Sequence, residues 1–394
     1  MSKFNTSTIN DLCYVIDCEH KTAPYVESSE YLVVRTSNVR DGMLILDDIK
    51  HTTKDGFEEW TQRAVPEYGD VLFTREAPAG ESCLVPKKLK ICMGQRMVLL
   101  RPKQDKIDPV YLSIYLITEK AKREIYKYSI GSTVTRINME DIYKIVVRLP
   151  GLEEQRKIAA VFSAVDAKLD ALRRKRDLLA EYKRGVMQKL FSQEIRFVGD
   201  GGRPYADWEV KKLGDLGTFK SGVGFPTSEQ GNTEGMPFFK VSDMNLPGNE
   251  SVMNSANNYV TKDQIARLKL KPITKDSYIF AKVGAAIFLE RKRRAKNFLI
   301  DNNMMAFIPN KLISIEFTGV LLATIRLSRY AQVGALPSYN ASDLKTLRAK
   351  VPSRKEQEKI ADFLTAIDAK ITAVDQQIEQ IEAFKKGLLQ QMFV

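Results

Sequence analysis

The sequence predicts an α+β chain: two similar mixed α/β domains separated by two long helices that form an antiparallel coiled coil, with pseudo-twofold symmetry. Three observations carry this. Residues 150–191 and 352–393 are near copies at an offset of 202 residues. Both copies keep a mainly apolar 4-3-4-3 spacing, interrupted at Arg176, Lys183 and Lys385. The segments preceding them repeat short β-type runs in one order. A repeat near 200 residues is far too long for a solenoid unit, so it marks two copies of a domain plus helix.

The copies share Pro150/Pro352, Glu154/Glu356, Gln155/Gln357 and Lys157-Ile158-Ala159/Lys359-Ile360-Ala361. The identities continue at Asp166-Ala167-Lys168/Asp368-Ala369-Lys370, Lys183/Lys385, Gly185/Gly387, Gln188/Gln390 and Phe191/Phe393. Proline stands just ahead of each helix, where a missing N–H costs nothing, and Glu153, Glu154 and Glu356 sit near the positive end of the macrodipole. The expected seam is Ile158, Val165, Leu169, Leu172, Leu179 and Val186 in the first helix. In the second it is Ile360, Ile367, Ile371, Val374, Ile378, Ile381 and Leu388. A 3.5-residue apolar period held this long specifies a left-handed coiled coil, and the simplest partner for each helix is the other. Forty such residues span roughly 60 Å, the dimensions of a rigid spacer.

The predicted order is a domain over 1–149, a helix over 150–192, a linker over 193–208, a second domain over 209–351 and a helix over 352–394. In the first domain, Tyr31–Arg35, Asp70–Arg75 and Arg96–Arg101 read as strands, and Asp108-Pro109 starts a helix running to Ile117. Gly199-Asp-Gly-Gly-Arg-Pro204 marks the linker. The second domain echoes the first loosely. Phe239–Met244 answers Val34–Val39, Tyr278–Lys282 answers Val71–Arg75, and Pro337–Asn340 takes the place of Val134–Asn138. Two similar scaffolds with different surfaces point to two different bound features.

Composition narrows the partner. A formal net charge of +12 favours a polyanion, and 44% apolar residues supply real cores. No apolar run approaches the roughly 18 residues of a spanning helix, and Met1–Asn10 has no signal-peptide core, so a cytoplasmic protein with no membrane partner is expected. Cys13, Cys18, Cys83 and Cys92 read as reduced, incidental thiols. With no C-x-x-C pair, and His20 and His51 the only histidines, no metal site is expected.

Catalytic look-alikes fail individually. Gly217-Thr-Phe-Lys-Ser-Gly222 has phosphate-loop glycine spacing, but Val223 stands where the lysine belongs. Asp108-Pro109-Val110-Tyr111 lacks the second proline of an amino-methyltransferase motif. Asp166-Ala-Lys168, Asp368-Ala-Lys370 and Glu181-Tyr-Lys183 match the tail of a nuclease motif but lie on the heptad helices, whereas metal carboxylates need adjoining strands. No active site is expected.

Polar clusters at strand ends are of the types that bond phosphates and base edges. In the first domain they are Arg35, Thr36, Ser37, Asn38, Thr74, Arg75, Arg96, Thr133, Thr135 and Arg136. In the second they are Lys220, Lys240, Ser242, Asp243, Asn245, Lys282, Asn302, Asn303, Ser338 and Tyr339. Arg291, Arg293 and Arg294 add a basic run, Glu290–Lys296, expected on a β-hairpin connection.

In this arrangement, with helices opening Pro-x3-Glu-Gln-x-Lys-Ile-Ala at Pro150 and Pro352, the chain resembles the specificity subunit of type I restriction–modification systems. The domain start Trp208-Glu-Val-Lys-Lys-Leu-Gly-Asp-Leu216 and Ile279–Gly284 are similar to that family as well; at Asn5–Val15 the first domain departs from it, having no Trp-x4-Leu-Gly start. The resemblance implies two target recognition domains, each reading half of an asymmetric bipartite site in double-stranded DNA, with the helix pair fixing the gap. It also implies two methyltransferase subunits on the helices and restriction endonuclease/translocase subunits beyond them. This chain would be non-catalytic and hold no cofactor, with S-adenosylmethionine, ATP and Mg on the partners. The alternative from the residues alone is a coiled-coil protein clasp without specific DNA binding.

Overall fold

A computed structural model describes residues 4–18, 23–131, 135–332, 334 and 336–393. The repeated segments are continuous helices, Leu152–Ser192 and Arg354–Met392. By packing, the chain divides into two compact units, and the division falls inside both helices: Met1–Lys175 with Val374–Val394, and Arg176–Ala373. Each unit therefore holds one domain, the start of the helix that follows it and the end of the other helix.

In the first unit, Cys13–Asp17, Met97–Pro102, Val71–Thr74 and Ser82–Leu84 form a four-stranded antiparallel sheet in that spatial order. Its side chains alternate between two cores, as the strand period of two requires. Val71, Phe73, Val98 and Leu100 face a core that takes in helix Pro109–Leu116; Leu72, Cys83, Met97 and Leu99 face the other. Burial on both faces is why Val71-Leu72-Phe73 reads as an unbroken apolar run. The second core is closed by Lys50–Thr52, Tyr31–Val34 and Lys90–Met93, the last two strands parallel. Asn5–Thr8 pairs with Val146–Leu149, which leads into the long helix.

The second unit repeats the plan. Its four-stranded sheet is Gly217–Ser221, Met304–Pro309, Ser277–Ala281 and Lys292–Ala295. Its smaller sheet is Tyr259–Val260, Met236–Phe239 and Leu299–Ile300, again with a parallel last pair. Glu209–Lys212 pairs with Arg348–Val351 and runs into the turn Leu213–Leu216. Asn5–Thr8 and the turn Ile9–Leu12 hold the same place in the first unit, so the framework start is present there without the sequence pattern.

One segment differs from expectation. The basic run is no hairpin connection: Lys292–Ala295 is the edge strand of the sheet, paired with Ser277–Phe280. Its outer side is covered as well: the Arg294 N–H donates to the Ser251 carbonyl at 3.0 Å, and the Arg294 carbonyl accepts the Met253 N–H at 2.8 Å. The linker expected over 193–208 is held by packing and hydrogen bonds. Arg196 pairs with the fully buried Glu356 at 3.0 Å and donates to the Ala206 carbonyl at 2.6 Å, while Trp208 packs edge-on against Phe191 and Phe317.

The helices belong to the domain cores. Ile158, Phe162 and Phe393 complete the first, the Phe393 ring lying 5.5 Å from that of Tyr111. Leu190, Ile360, Leu364 and Ile367 complete the second, where Phe191 stacks at 6.0 Å on Phe317. Along the seam, Ile158, Leu169, Leu172, Ile360, Ile367, Val374 and Ile378 are buried, and Val165, Leu179, Val186, Ile371, Ile381 and Leu388 are half-buried. Within the first unit, Lys385 pairs with Asp166 at 2.5 Å and Arg173 with Glu382 at 2.7 Å, a descending order that makes these stretches antiparallel. Within the second, Lys183 pairs with Asp368 at 2.5 Å. Asp166 and Asp368, the carboxylates of two of the three nuclease look-alikes, are thus engaged across the helix pair.

Candidate nucleic-acid interface

Arg75 follows one strand and Arg96 precedes its antiparallel neighbour, so sheet pairing brings both to one end of the first four-stranded sheet. There the Arg75 N–H donates to the Arg96 carbonyl at 2.8 Å, and the Ile137 N–H donates to the Arg75 carbonyl at 2.9 Å. The Arg75 guanidinium donates to Asp17 at 3.3 Å, and Arg96 pairs with Glu76 at 2.9 Å. Arg75, Glu76, Gln95 and Arg96 line a cleft of about 270 Å³, and exposed Arg136 stands opposite Glu76 in an isolated backbone bridge beside it. Thr135 supports the rim by accepting the Ala79 N–H.

The second sheet ends in the same backbone frame. Lys282 N–H donates to the Asn303 carbonyl at 2.7 Å, and Tyr339 N–H donates to the Lys282 carbonyl at 3.4 Å. The Lys282 ammonium reaches the Ser221 hydroxyl at 3.4 Å, and Ser338 bridges to Val283. Frame for frame, Asp17, Arg75, Arg96 and Arg136 are answered by Ser221, Lys282, Asn303 and Ser338. The scaffold is repeated and the functional groups are exchanged. Sequence reading missed Asp17, Gln95 and Ser221; the signal was there in their position as the last or first residues beside strands that pair.

Several expected contact residues build this frame instead of its surface. Asn38 is buried, its side chain accepting the Arg35 N–H at 3.1 Å and donating to the Ile45 carbonyl at 3.1 Å. Asp243, equally buried, accepts the Lys240 N–H at 2.8 Å and the Asn257 amide at 2.6 Å. Thr74 donates to the Pro78 carbonyl and accepts the Glu81 N–H. Tyr339 is buried with its hydroxyl on the Ala281 carbonyl, and burial pushes its phenol up. Short polar side chains beside turns satisfy backbone groups that water cannot reach, which is why the types resemble a reading surface. Arg294 is held by Asp276 at 3.0 Å and Glu316 at 3.4 Å, and it draws the Asp276 carboxyl below its usual range. Thr133 and His20 lie outside the described residues.

The remaining candidates have partial commitments. Arg35 donates to the Asp48 carbonyl at 2.9 Å, beside half-buried Thr36 and exposed Ser37. Lys220 is partly buried, which pulls its ammonium down, and donates to the Lys271 carbonyl. Lys240 donates to Gln230. Ser242 and Asn302 are exposed. On the edge strand the period of two separates the cations. Lys292 and Arg294 are taken by Glu290, Asp276 and Glu316. Arg291 instead donates to Asn245 at 2.6 Å, and Arg293 is pulled down by burial and by Arg291 beside it. Among the described residues no group of three or more His, Cys, Asp or Glu could hold a metal, and no helix is long and apolar enough to cross a membrane.

A duplicated α+β scaffold with two differently furnished polar rims defines a two-headed recognition protein. The chain belongs to the type I restriction–modification DNA specificity domain family, whose model matches residues 1–181 and 205–383. It is similar to a Methanocaldococcus jannaschii protein assigned as the specificity subunit of type I restriction enzyme MjaX, at 28% identity covering 91% of this chain and 85% of the relative. The MjaVIII specificity subunit of the same organism is 25% identical over 91% of this chain and 84% of its own. In fold it matches the crystal structure of a type I restriction–modification S subunit from M. genitalium, with a TM-score of 0.60, 16% identity and coverage of 100% and 96%. A chain from a structure of type I complex assembly and conformational transition matches at 0.56 and 16%, over 99% and 97%. Each matched segment takes in one target recognition domain and most of the long helix that follows it, and the family's role is DNA specificity, with catalysis on partner subunits.

Proposed function

We propose that each domain reads one half of an asymmetric, bipartite double-stranded DNA site and that the helix pair sets the gap between the halves. The exposed helix surface receives two methyltransferase subunits, and restriction subunits join them. S-adenosylmethionine, ATP and Mg act on those partners, and the complex works on DNA in the cytoplasm. The observation that supports the reading is the repeated frame with exchanged side chains: Asp17, Arg75, Arg96 and Arg136 against Ser221, Lys282, Asn303 and Ser338. Identical frames position identical geometry in a groove, and different donors and acceptors then select different bases. Base contacts specify while phosphate contacts set register, so arginine-rich and serine/asparagine-rich rims discriminate differently.

The test is methylation of random-sequence DNA by the cognate methyltransferase with and without this chain, followed by sequencing of modified adenines. A split motif of fixed gap that requires this chain is the expected result. Methylation indifferent to it would refute the reading. Lengthening both helices by one heptad should change the gap and leave both half-sites intact.

A further inference from the structure

Beside the second rim stands an apolar lobe with no counterpart in the first domain. The turn Ala285–Leu289 follows Lys282 by two residues. Its Ile287 is buried at 3% exposure, whereas Phe288 and Leu289 are each 59% exposed. The turn is fixed at both ends. The Gly284 N–H donates to the Pro337 carbonyl at 2.8 Å. At the other end the Glu290 carboxylate accepts the Ser328 N–H at 2.7 Å and the Lys292 ammonium at 2.6 Å. Two large apolar side chains are therefore held outward on a rigid mount, where an isolated chain would hide them.

The surroundings are cationic. Lys282 and Arg291 flank the lobe in sequence, and the turn Leu327–Tyr330, to which Glu290 ties it, is preceded by exposed Arg326 and carries exposed Arg329. Neither of those two makes a salt bridge among the described residues, and the one acid of the lobe, Glu290, is directed inward to its mount. At the corresponding place after Arg75 the first domain carries Glu76-Ala77-Pro78-Ala79-Gly80-Glu81, with no aromatic or large aliphatic side chain.

We propose that Phe288 and Leu289 are specificity-determining residues of the second domain, contacting the C5-methyl groups of thymines in its half-site while the surrounding cations hold the phosphates. The proposal rests on the DNA-reading function above and names one chemical feature that the second domain reads. Thymine methyls are the apolar marks of the major groove, and an apolar pair accompanied by the unpaired Arg326 and Arg329 matches a methyl flanked by phosphates. Continuity with the Lys282 rim, and the basic ring, favour DNA over a protein partner.

The test uses the full chain with its cognate methyltransferase and compares wild type, Phe288→Ala and Leu289→Ala by selection from random DNA. In the expected result each variant loses a thymine preference at one or two positions of one half-site and keeps the other half-site unchanged, which also certifies its fold. Replacing those thymines by deoxyuridine should weaken wild-type binding about fourfold per methyl, the equivalent of roughly 0.8 kcal/mol for a buried methyl-sized group, and leave the variants unmoved. A wild-type split motif that both variants retain in full overturns this proposal alone. Variants with intact base preference and impaired methyltransferase assembly overturn it in favour of protein docking. If wild type selects no split motif, the DNA-reading function itself falls.

Discussion

The side-chain oxygen of Gln155 accepts the backbone N–H of Asp108 at 2.9 Å, while its amide donates to the Pro150 carbonyl at 2.9 Å. Asp108 in turn caps helix Pro109–Leu116 by accepting from Val110 and Tyr111. One buried side chain thus joins the start of a long helix to the start of a domain helix. Gln357 does the same in the second unit, accepting from Ser314 and donating to Pro352. The repeated Glu-Gln motif is therefore a joint as well as a helix opening.

Gln155→Leu leaves the Asp108 N–H and Pro150 carbonyl without their partner, and should cost about 1–3 kcal/mol. Urea unfolding followed by circular dichroism should show a lower midpoint at unchanged slope. Gln357→Leu should behave alike. Midpoints equal to wild type would show that the joint contributes nothing.

Surface and frame residues should separate in experiment. Arg136→Ala and Ser338→Ala lie on exposed or half-exposed rims and should alter DNA binding with stability within about 0.5 kcal/mol of wild type. Where Arg136 meets a phosphate, its loss should reduce the slope of log affinity against log salt by about 0.9. Thr74→Val and Asp243→Leu remove internal hydrogen bonds and should lower the unfolding midpoint before any effect on base preference. A frame variant of wild-type stability with a changed motif would reverse the assignment.

These contrasts mark how far the sequence could be read. The helices were legible because a heptad repeat is written in one dimension, and Phe191 and Phe393 aligned before either had a known neighbour. The sheet frame was legible in Val71–Arg75 and Tyr278–Lys282, apolar runs ending in a cation. What stayed hidden depends on pairing across long separations. Asp17 meets Arg75, and Ser221 meets Lys282, only once strands lie side by side. Asn38 and Asp243 looked like readers because a polar side chain beside a turn has the same composition whether it faces DNA or closes a backbone turn. The Asp166 and Asp368 look-alikes likewise needed Lys385 and Lys183 to be explained.

The thiols give a pH-dependent prediction. Burial pushes Cys13, Cys83 and Cys92 up to about 12, so at pH 8 the native thiolate fraction is on the order of 10⁻⁴. A disulfide reagent should leave them untouched in the native chain and titrate all four cysteines in denaturant. Because the folded state keeps these protons while the unfolded chain loses them above roughly pH 8.5, stability should be fully present below that pH and decline as pH rises toward 12. Rapid labelling of native protein at pH 8 would contradict the burial.

The cross-helix pairs offer a test of register. Asp166 and Lys385 meet at 2.5 Å with side chains about half and a quarter exposed, so the pair should contribute no more than about 1 kcal/mol. Asp166→Lys places two ammonium groups together and should destabilise; Lys385→Asp places two carboxylates together and should do the same. The double exchange restores opposite charges at the same positions, so its stability should return to near wild type, with a coupling of at least about 0.5 kcal/mol in the four-way cycle. That coupling should shrink in 1 M salt, where the screening length falls to about 3 Å. Exchange of Lys183 with Asp368 should give the same sign, because that pair repeats the contact in the second unit. The apolar seam tolerates slippage by a heptad, since one apolar knob fills a hole much like the next. A charge pair that rescues only in combination fixes one register out of those, and zero coupling at both positions would leave the register to the apolar side chains alone.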